Sequence, residues 1–234
     1  MRIAFEGIKK GFLIFWDESI KLIFLNFLVF LSLLPALLFF SVTAVSGSVL
    51  TSFMNTLLIL PFSFFVFALY RILYDCRQGI VIGFKSFFRY LRFMARPALI
   101  FGVINLLAVL MVGWNLRFYA QFEEAWAGIF QLTFLSLTLI WATLQLIMLP
   151  LYPRLEEPSF RLALKNAAAI MGRYLLPVLA LVLWTALFVA ATFYVQILGL
   201  LVSFVFIAVL GEGIVGEIVI DVQEVQKEAR TPKT

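Results

Sequence analysis

Apolar residues gather along this chain into six long stretches, and short basic segments separate them in pairs. The stretches run over about 22–45, 49–70, 98–114, 128–151, 175–195 and 198–218. A helix rises about 1.5 Å per residue and a bilayer's hydrocarbon core is about 30 Å thick, so stretches of this order predict membrane-spanning helices. Ser46-Gly47-Ser48 predicts a tight turn between the first two, which makes them an antiparallel pair. Pro35 falls inside the first span and predicts a kink, and Pro61 falls in the middle of the second. The run from Leu175 to about Ile220 is too long for one span and divides near Gln196 to Gly199. One transmembrane domain, 1–220, then gives way to a polar tail, 221–234, read as a short solvated helix end followed by disorder.

The segments between the pairs carry a different period. Over Phe84 to Pro97, Phe84, Phe87, Phe88, Leu91 and Met94 fall on one side at helical spacing, with Lys85, Arg89, Arg92 and Arg96 on the other. Residues 2–18 place Phe5, Ile8, Phe12, Phe15 and Trp16 on one face, away from Glu6, Lys10 and Asp17. After the helix-breaking Tyr152-Pro153-Arg154-Leu155-Glu156-Glu157-Pro158, Ser159 is placed to cap a third such segment. Its cations, Arg161, Lys165 and Arg173, lie opposite Phe160, Ala163, Leu164, Ala167 and Met171. Basic amphipathic helices of this kind seat their rings in the acyl boundary and their cations among phosphates. Lys9, Lys10, Lys85, Arg89, Arg92, Arg96, Arg161, Lys165 and Arg173 are therefore the expected contacts to anionic lipid headgroups.

Composition agrees with this pattern: 64% of the 234 residues are hydrophobic and only 13% are charged. A soluble domain is closer to about a quarter charged. The net charge of +5 would suggest nucleic acid in a soluble protein. Here the rings and the cations occupy opposite faces, which fits a lipid interface and gives no nucleic-acid partner. Lys and Arg number four before the first span, six in 71–97, four in 152–174 and three in the tail, against Arg117 alone on the other side. That bias predicts cytoplasmic N and C termini.

A shift of 79 residues brings Phe5, Lys10 and Asn26 over Phe84, Arg89 and Asn105. A shift of 76 brings Phe84, Lys85 and Arg89 over Phe160, Arg161 and Lys165. The expected architecture is thus all-α and polytopic: six transmembrane helices as three antiparallel hairpins, each preceded by a cytoplasmic amphipathic helix. Two spans per unit make the repeats parallel, unlike the inverted repeats that frame midplane transport sites.

Histidine is absent and Cys76 is the only cysteine, which removes imidazole catalysis, the usual zinc and haem ligand sets and any internal disulfide. No phosphate-binding glycine loop, nucleophile elbow or metal-spaced carboxylate set is present. The chain is read as non-enzymatic, with no catalytic, cofactor-binding or metal-binding residue. Four polar positions inside the spans remain: Glu212, Asn26, Asn105 and Gln145. Glu212, in Leu210-Gly211-Glu212-Gly213-Ile214-Val215-Gly216-Glu217, is either a buried or proton-coupled site, or a structural partner for an interfacial arginine. Asn26 and Asn105 stand at matching repeat positions, where interhelical hydrogen bonding is the default role, and Gln145 is read the same way. Asp75 is expected to pair with Arg71 at a solvated helix end.

The aromatic basic N-terminal helix running from Phe15-Trp16 to Asn26, Pro61 in the second span and the phenylalanine-and-cation helix at Phe84 together resemble the YesL-like bacterial integral membrane proteins. The resemblance covers most of the chain. It implies a family of uncharacterised function associated with carbohydrate uptake systems, without assigned catalytic residues. Two expectations follow, an accessory or scaffold protein for a membrane transport system, or a small transporter or channel for a polar solute. A transport path would show as a continuous polar cavity reaching Glu212, Asn26 and Asn105. Reversing Lys85, Arg89, Arg92 and Arg96 to acids is expected to disturb insertion or orientation, and reporter fusions at each loop measure it.

Overall fold

The computed structural model describes residues 2–43, 49–81 and 83–230, and every element in it is helical. Six helices are long and apolar enough to cross a membrane, Ser19–Phe39, Phe53–Arg77, Ala95–Tyr119, Ala125–Arg154, Leu175–Tyr194 and Gly199–Glu228. The protein is an all-α polytopic membrane protein. The first span lies in α2 (Ser19–Thr43), preceded by α1 (Arg2–Asp17). The third and fourth are α6 (Ala95–Tyr119) and α7 (Ala125–Leu151), preceded by α5 (Phe84–Phe93). The fifth and sixth are α9 (Leu175–Tyr194) and α10 (Gln196–Arg230), preceded by α8 (Phe160–Arg173).

The second span differs from the single stretch 49–70 that the sequence suggested. It breaks into α3 (Val49–Leu57) and α4 (Leu60–Arg77), and Pro61 sits in the first turn of α4. Proline lacks the N–H that a helix interior needs, whereas a first turn leaves that N–H unbonded anyway, so Pro61 starts a helix here. Helix α4 also continues past Tyr70 to Arg77. The turn expected at Ser46-Gly47-Ser48 lies outside the described residues. Pro35 is inside α2.

At the other end of these spans, α6 runs on to Tyr119, past the 98–114 expected for the third span, and only residues 120–124 separate it from α7. Tyr119 stacks on Phe130 at 4.9 Å and meets Trp126 edge-on at 6.2 Å, so aromatic rings bind the α6–α7 corner. A 3-10 turn at Tyr152–Arg154 ends α7, and the Ser159 hydroxyl accepts from the Leu162 N–H to cap α8. The reversal expected at Gln196 to Gly199 falls at Val195, and the antiparallel return brings Phe206 onto Phe188 with ring centroids 4.3 Å apart. Helix α10 then continues without interruption to Arg230, so the first part of the polar tail extends the sixth span as an exposed helical end.

Helix α10 is the axis of the bundle: α1, α2, α4, α7 and α9 all pack on it. Its contact with α1 runs through small residues. The buried residues of α1 are Ala4, Gly7 and Gly11, while Phe5, Phe12 and Trp16 are exposed. Gly7 faces Gly213 and Ile214, and Gly11 faces Val209, so α1 runs antiparallel to α10 along a smooth seam. A Cβ on Gly213 would stand 2.2 Å from the Gly7 carbonyl oxygen, and one on Gly7 would stand 2.6 Å from the Ile214 Cα. Only glycine permits backbones this close, and close packing, not hydrophobic expulsion, drives helix association in lipid.

Gly213→Val forces these backbones apart and is expected to cost about 1–3 kcal/mol, the usual range for overpacking. The thermal unfolding midpoint in detergent reads the loss, with Gly128→Ala, where an added Cβ meets no atom within 4 Å, as the unchanged control.

Candidate functional site

Where α1, α4, α7 and α10 converge, cations from α1, α4 and the 3-10 turn close on two carboxylates of α10. Glu212 is 0% exposed, and the Arg154 guanidinium takes both of its oxygens, Nη1 donating to Oε2 at 2.8 Å and Nη2 to Oε1. Arg154 follows directly on α7, so its Nη1 also reaches the Pro150 carbonyl that the helix end leaves free. One turn along α10, Glu217 receives Arg77 Nη2 from α4 and, at 2.8 Å, Lys10 Nζ from α1. Arg77 Nη1 donates besides to the Glu212 and Gly213 carbonyls, at 3.1 and 3.2 Å.

Gly216 makes room for this arrangement. A Cβ there would lie 2.2 Å from Arg77 Nη1 and 2.8 Å from Arg154 Nη2, so the two guanidinium groups occupy the volume of a missing side chain. Next to them Tyr74 has Arg71 and Arg154 over its ring, with guanidinium carbons 5.2 and 5.4 Å from the centroid, within cation–π reach. Asp75 lies at the same level. It does pair with Arg71, at 3.2 Å, but it is 1% exposed and accepts a hydrogen bond from the Tyr90 hydroxyl of α5. The solvated helix end expected for Asp75 is thus a buried post joining α4 to α5.

The other intramembrane polar residues fall into two places. Asn26 is 0% exposed and inserts its amide into the backbone of α10. Its Nδ2 donates to the Leu200 carbonyl at 2.7 Å, and its Oδ1 accepts from the Phe204 and Val205 N–H groups at 2.9 and 3.1 Å. Leu200 and Phe204 are the pair that an undisturbed helical turn would bond to each other, so Asn26 stitches α2 into the sixth span. Asn105 and Gln145 meet, Gln145 Nε2 donating to Asn105 Oδ1 at 2.8 Å. Trp141 adds its indole N–H to the same oxygen at 3.0 Å, and Asn105 Nδ2 returns to the Phe101 carbonyl.

A cavity of about 470 Å³ lies among α4, α6, α7, α9 and α10. Asn105 and Gln145 line it, and neither Glu212 nor Asn26 does. The continuous polar path that a polar-solute transporter would need does not join these four residues.

The cations divide by burial. Lys9, Lys10, Lys85, Arg89, Arg92, Arg96, Arg161, Lys165 and Arg173 are all exposed, whereas Arg71, Arg77 and Arg154 are drawn partly inside. On α5, Phe87 and Met94 are buried, Leu91 is half-buried and Phe88 is exposed; the side chain of Phe84 lies outside the described residues. The sequence pattern gave Arg77, Arg154 and Tyr90 no pairing role, and Trp141, deep in its span, was expected only to pack. A surplus of arginines at the span ends beside an intramembrane glutamate was the available signal, though it did not name the partner. No family model, curated protein or solved structure matches the chain.

Removing one member of the Arg154–Glu212 pair strands a charge out of water. Arg154→Met and Glu212→Leu are each expected to cost about 3–5 kcal/mol, and the double variant less than either, because the uncompensated charge is then gone. Unfolding of the detergent-solubilised protein in a double-mutant cycle measures this.

Proposed function

We propose that this protein is a non-enzymatic accessory or scaffold subunit of a bacterial inner-membrane transport system, with both termini in the cytoplasm. The observation that supports this reading is the fate of the internal polar groups. Glu212 is neutralised by Arg154, Asn26 is bonded to the backbone of α10, and Asn105 is held by Trp141 and Gln145. Groups engaged in helix–helix bonds hold a shape and offer no relay for a polar solute. The exposed cations of α1, α5 and α8 then serve as headgroup contacts that seat the bundle in an anionic leaflet, leaving the same face open to a membrane partner. The YesL-like resemblance points that partner toward carbohydrate uptake.

Affinity purification from the native host in mild detergent tests the reading. A transport complex is expected to co-purify. A lone protein that moves a sugar or another polar solute across reconstituted liposomes overturns it and makes the chain a carrier in its own right.

A further inference from the structure

The 470 Å³ cavity falls within the usual range of ligand sites, about 300–1,000 Å³, and its chemistry is selective. No Asp, Glu, Lys or Arg lines it among the described residues. Its walls are hydrocarbon and rings, including Leu60, Phe62, Phe101 and Phe204. Against these walls stand two hydroxyl groups. Tyr70 is only 4% exposed, and its hydroxyl lies at the Gly211 backbone, where a Cβ would meet it at 3.5 Å. The Thr185 hydroxyl oxygen, on α9, is buried and has no hydrogen-bond partner among the described residues. A buried hydroxyl without a partner costs about 1–3 kcal/mol, so this one points to a molecule that bonds it.

The rim gives the route. Ile59, Val109 and Ala142 line the cavity and are exposed, and they belong to membrane-spanning segments, so its mouth faces lipid. Ile59 sits in the break between α3 and α4, the one interruption of the second span. Glu212 and its cations stand outside the cavity lining.

We propose that this cavity binds an uncharged, single-chain lipid bearing a hydroxyl or carbonyl oxygen, which enters from the bilayer and hydrogen-bonds to Tyr70 and Thr185. An ionised headgroup is excluded by the cost of placing a charge among these walls with no counter-ion. The proposal does not depend on the accessory role: a chain that docks on a transport complex and one that does not are equally able to hold such a lipid.

The test uses the full chain in nanodiscs and a long-chain fatty alcohol carrying a mid-chain diazirine. After illumination, labelled peptides are mapped with an excess of unlabelled fatty alcohol, alkane or fatty-acid anion as competitor. Label is expected on the α4, α6 and α7 segments that face the cavity, competed by the alcohol and not by the anion. Ala142→Phe narrows the mouth and is expected to cut labelling about tenfold. Tyr70→Phe keeps the ring and removes the hydroxyl, and is expected to reduce the advantage of alcohol over alkane about fivefold, the value of one hydrogen bond. Label spread evenly over lipid-facing helices, equal competition by the anion, or an alcohol preference that survives Tyr70→Phe overturns the proposal. Should Ala142→Phe fail to fold, the Tyr70→Phe comparison decides alone.

Discussion

A carboxylate at zero exposure inside a membrane protein has to be held, and Glu212 is held by one residue, Arg154. The neighbouring structure follows from that requirement. Arg154 reaches inward because α7 ends in a 3-10 turn immediately before it, and that turn follows from Pro150 and Pro153 near the end of the span. Gly216 is bare because the guanidinium groups fill its side-chain volume. Arg77 lies across the same surface and ties Glu217 to the carbonyls of Glu212 and Gly213. Low dielectric makes such a cluster costly to assemble and costlier to break, so it fixes which helices are neighbours more than it adds net stability.

Geometry compounds the effect. Glu212 and Gly213 are adjacent on α10, so the turn that carries the buried charge also carries the close crossing with α1. Lys10 of α1 reaches Glu217 from that seam. Charge pairing and backbone contact thus specify a single register for α1, and a one-residue slip would lose both. Higher along the same axis, Asn26 bonds α2 to the Leu200–Phe204 turn. The sixth span is therefore anchored at two levels, by an amide in its N-terminal half and by ions where α1, α4, α7 and α10 meet.

The spans were legible because membrane insertion is decided by local composition, and a run of apolar residues needs no knowledge of its neighbours. The parts that stayed hidden depend on residues far apart in the chain. Arg77 and Arg154 looked like ordinary span-end cations, since nothing local separates an arginine that meets phosphate from one that turns inward onto a glutamate. The seam of α1 stayed hidden for a related reason. Hydropathy weighs Phe5, Phe12 and Trp16 heavily and glycine hardly at all, while the contact with α10 is formed by the glycines and the rings stay exposed. Pro61 was placed in the middle of the span because periodicity does not separate a proline inside a helix from one that begins it.

The two polar clusters also differ in what they leave undone. Asn105, Trp141 and Gln145 satisfy one another, and the ion cluster pairs its carboxylates, so both are closed systems. Thr185 is not. Its hydroxyl oxygen is buried on α9 without a partner, at a cavity that Tyr70 also lines and that no charged side chain among the described residues lines. A membrane bundle loses little by filling such a space with leucine. The space beside that unbonded hydroxyl instead joins the lipid phase at one side and is closed off from the ion cluster at the other, which are the conditions under which a bilayer-soluble molecule with one polar atom is held more tightly than the bilayer holds it.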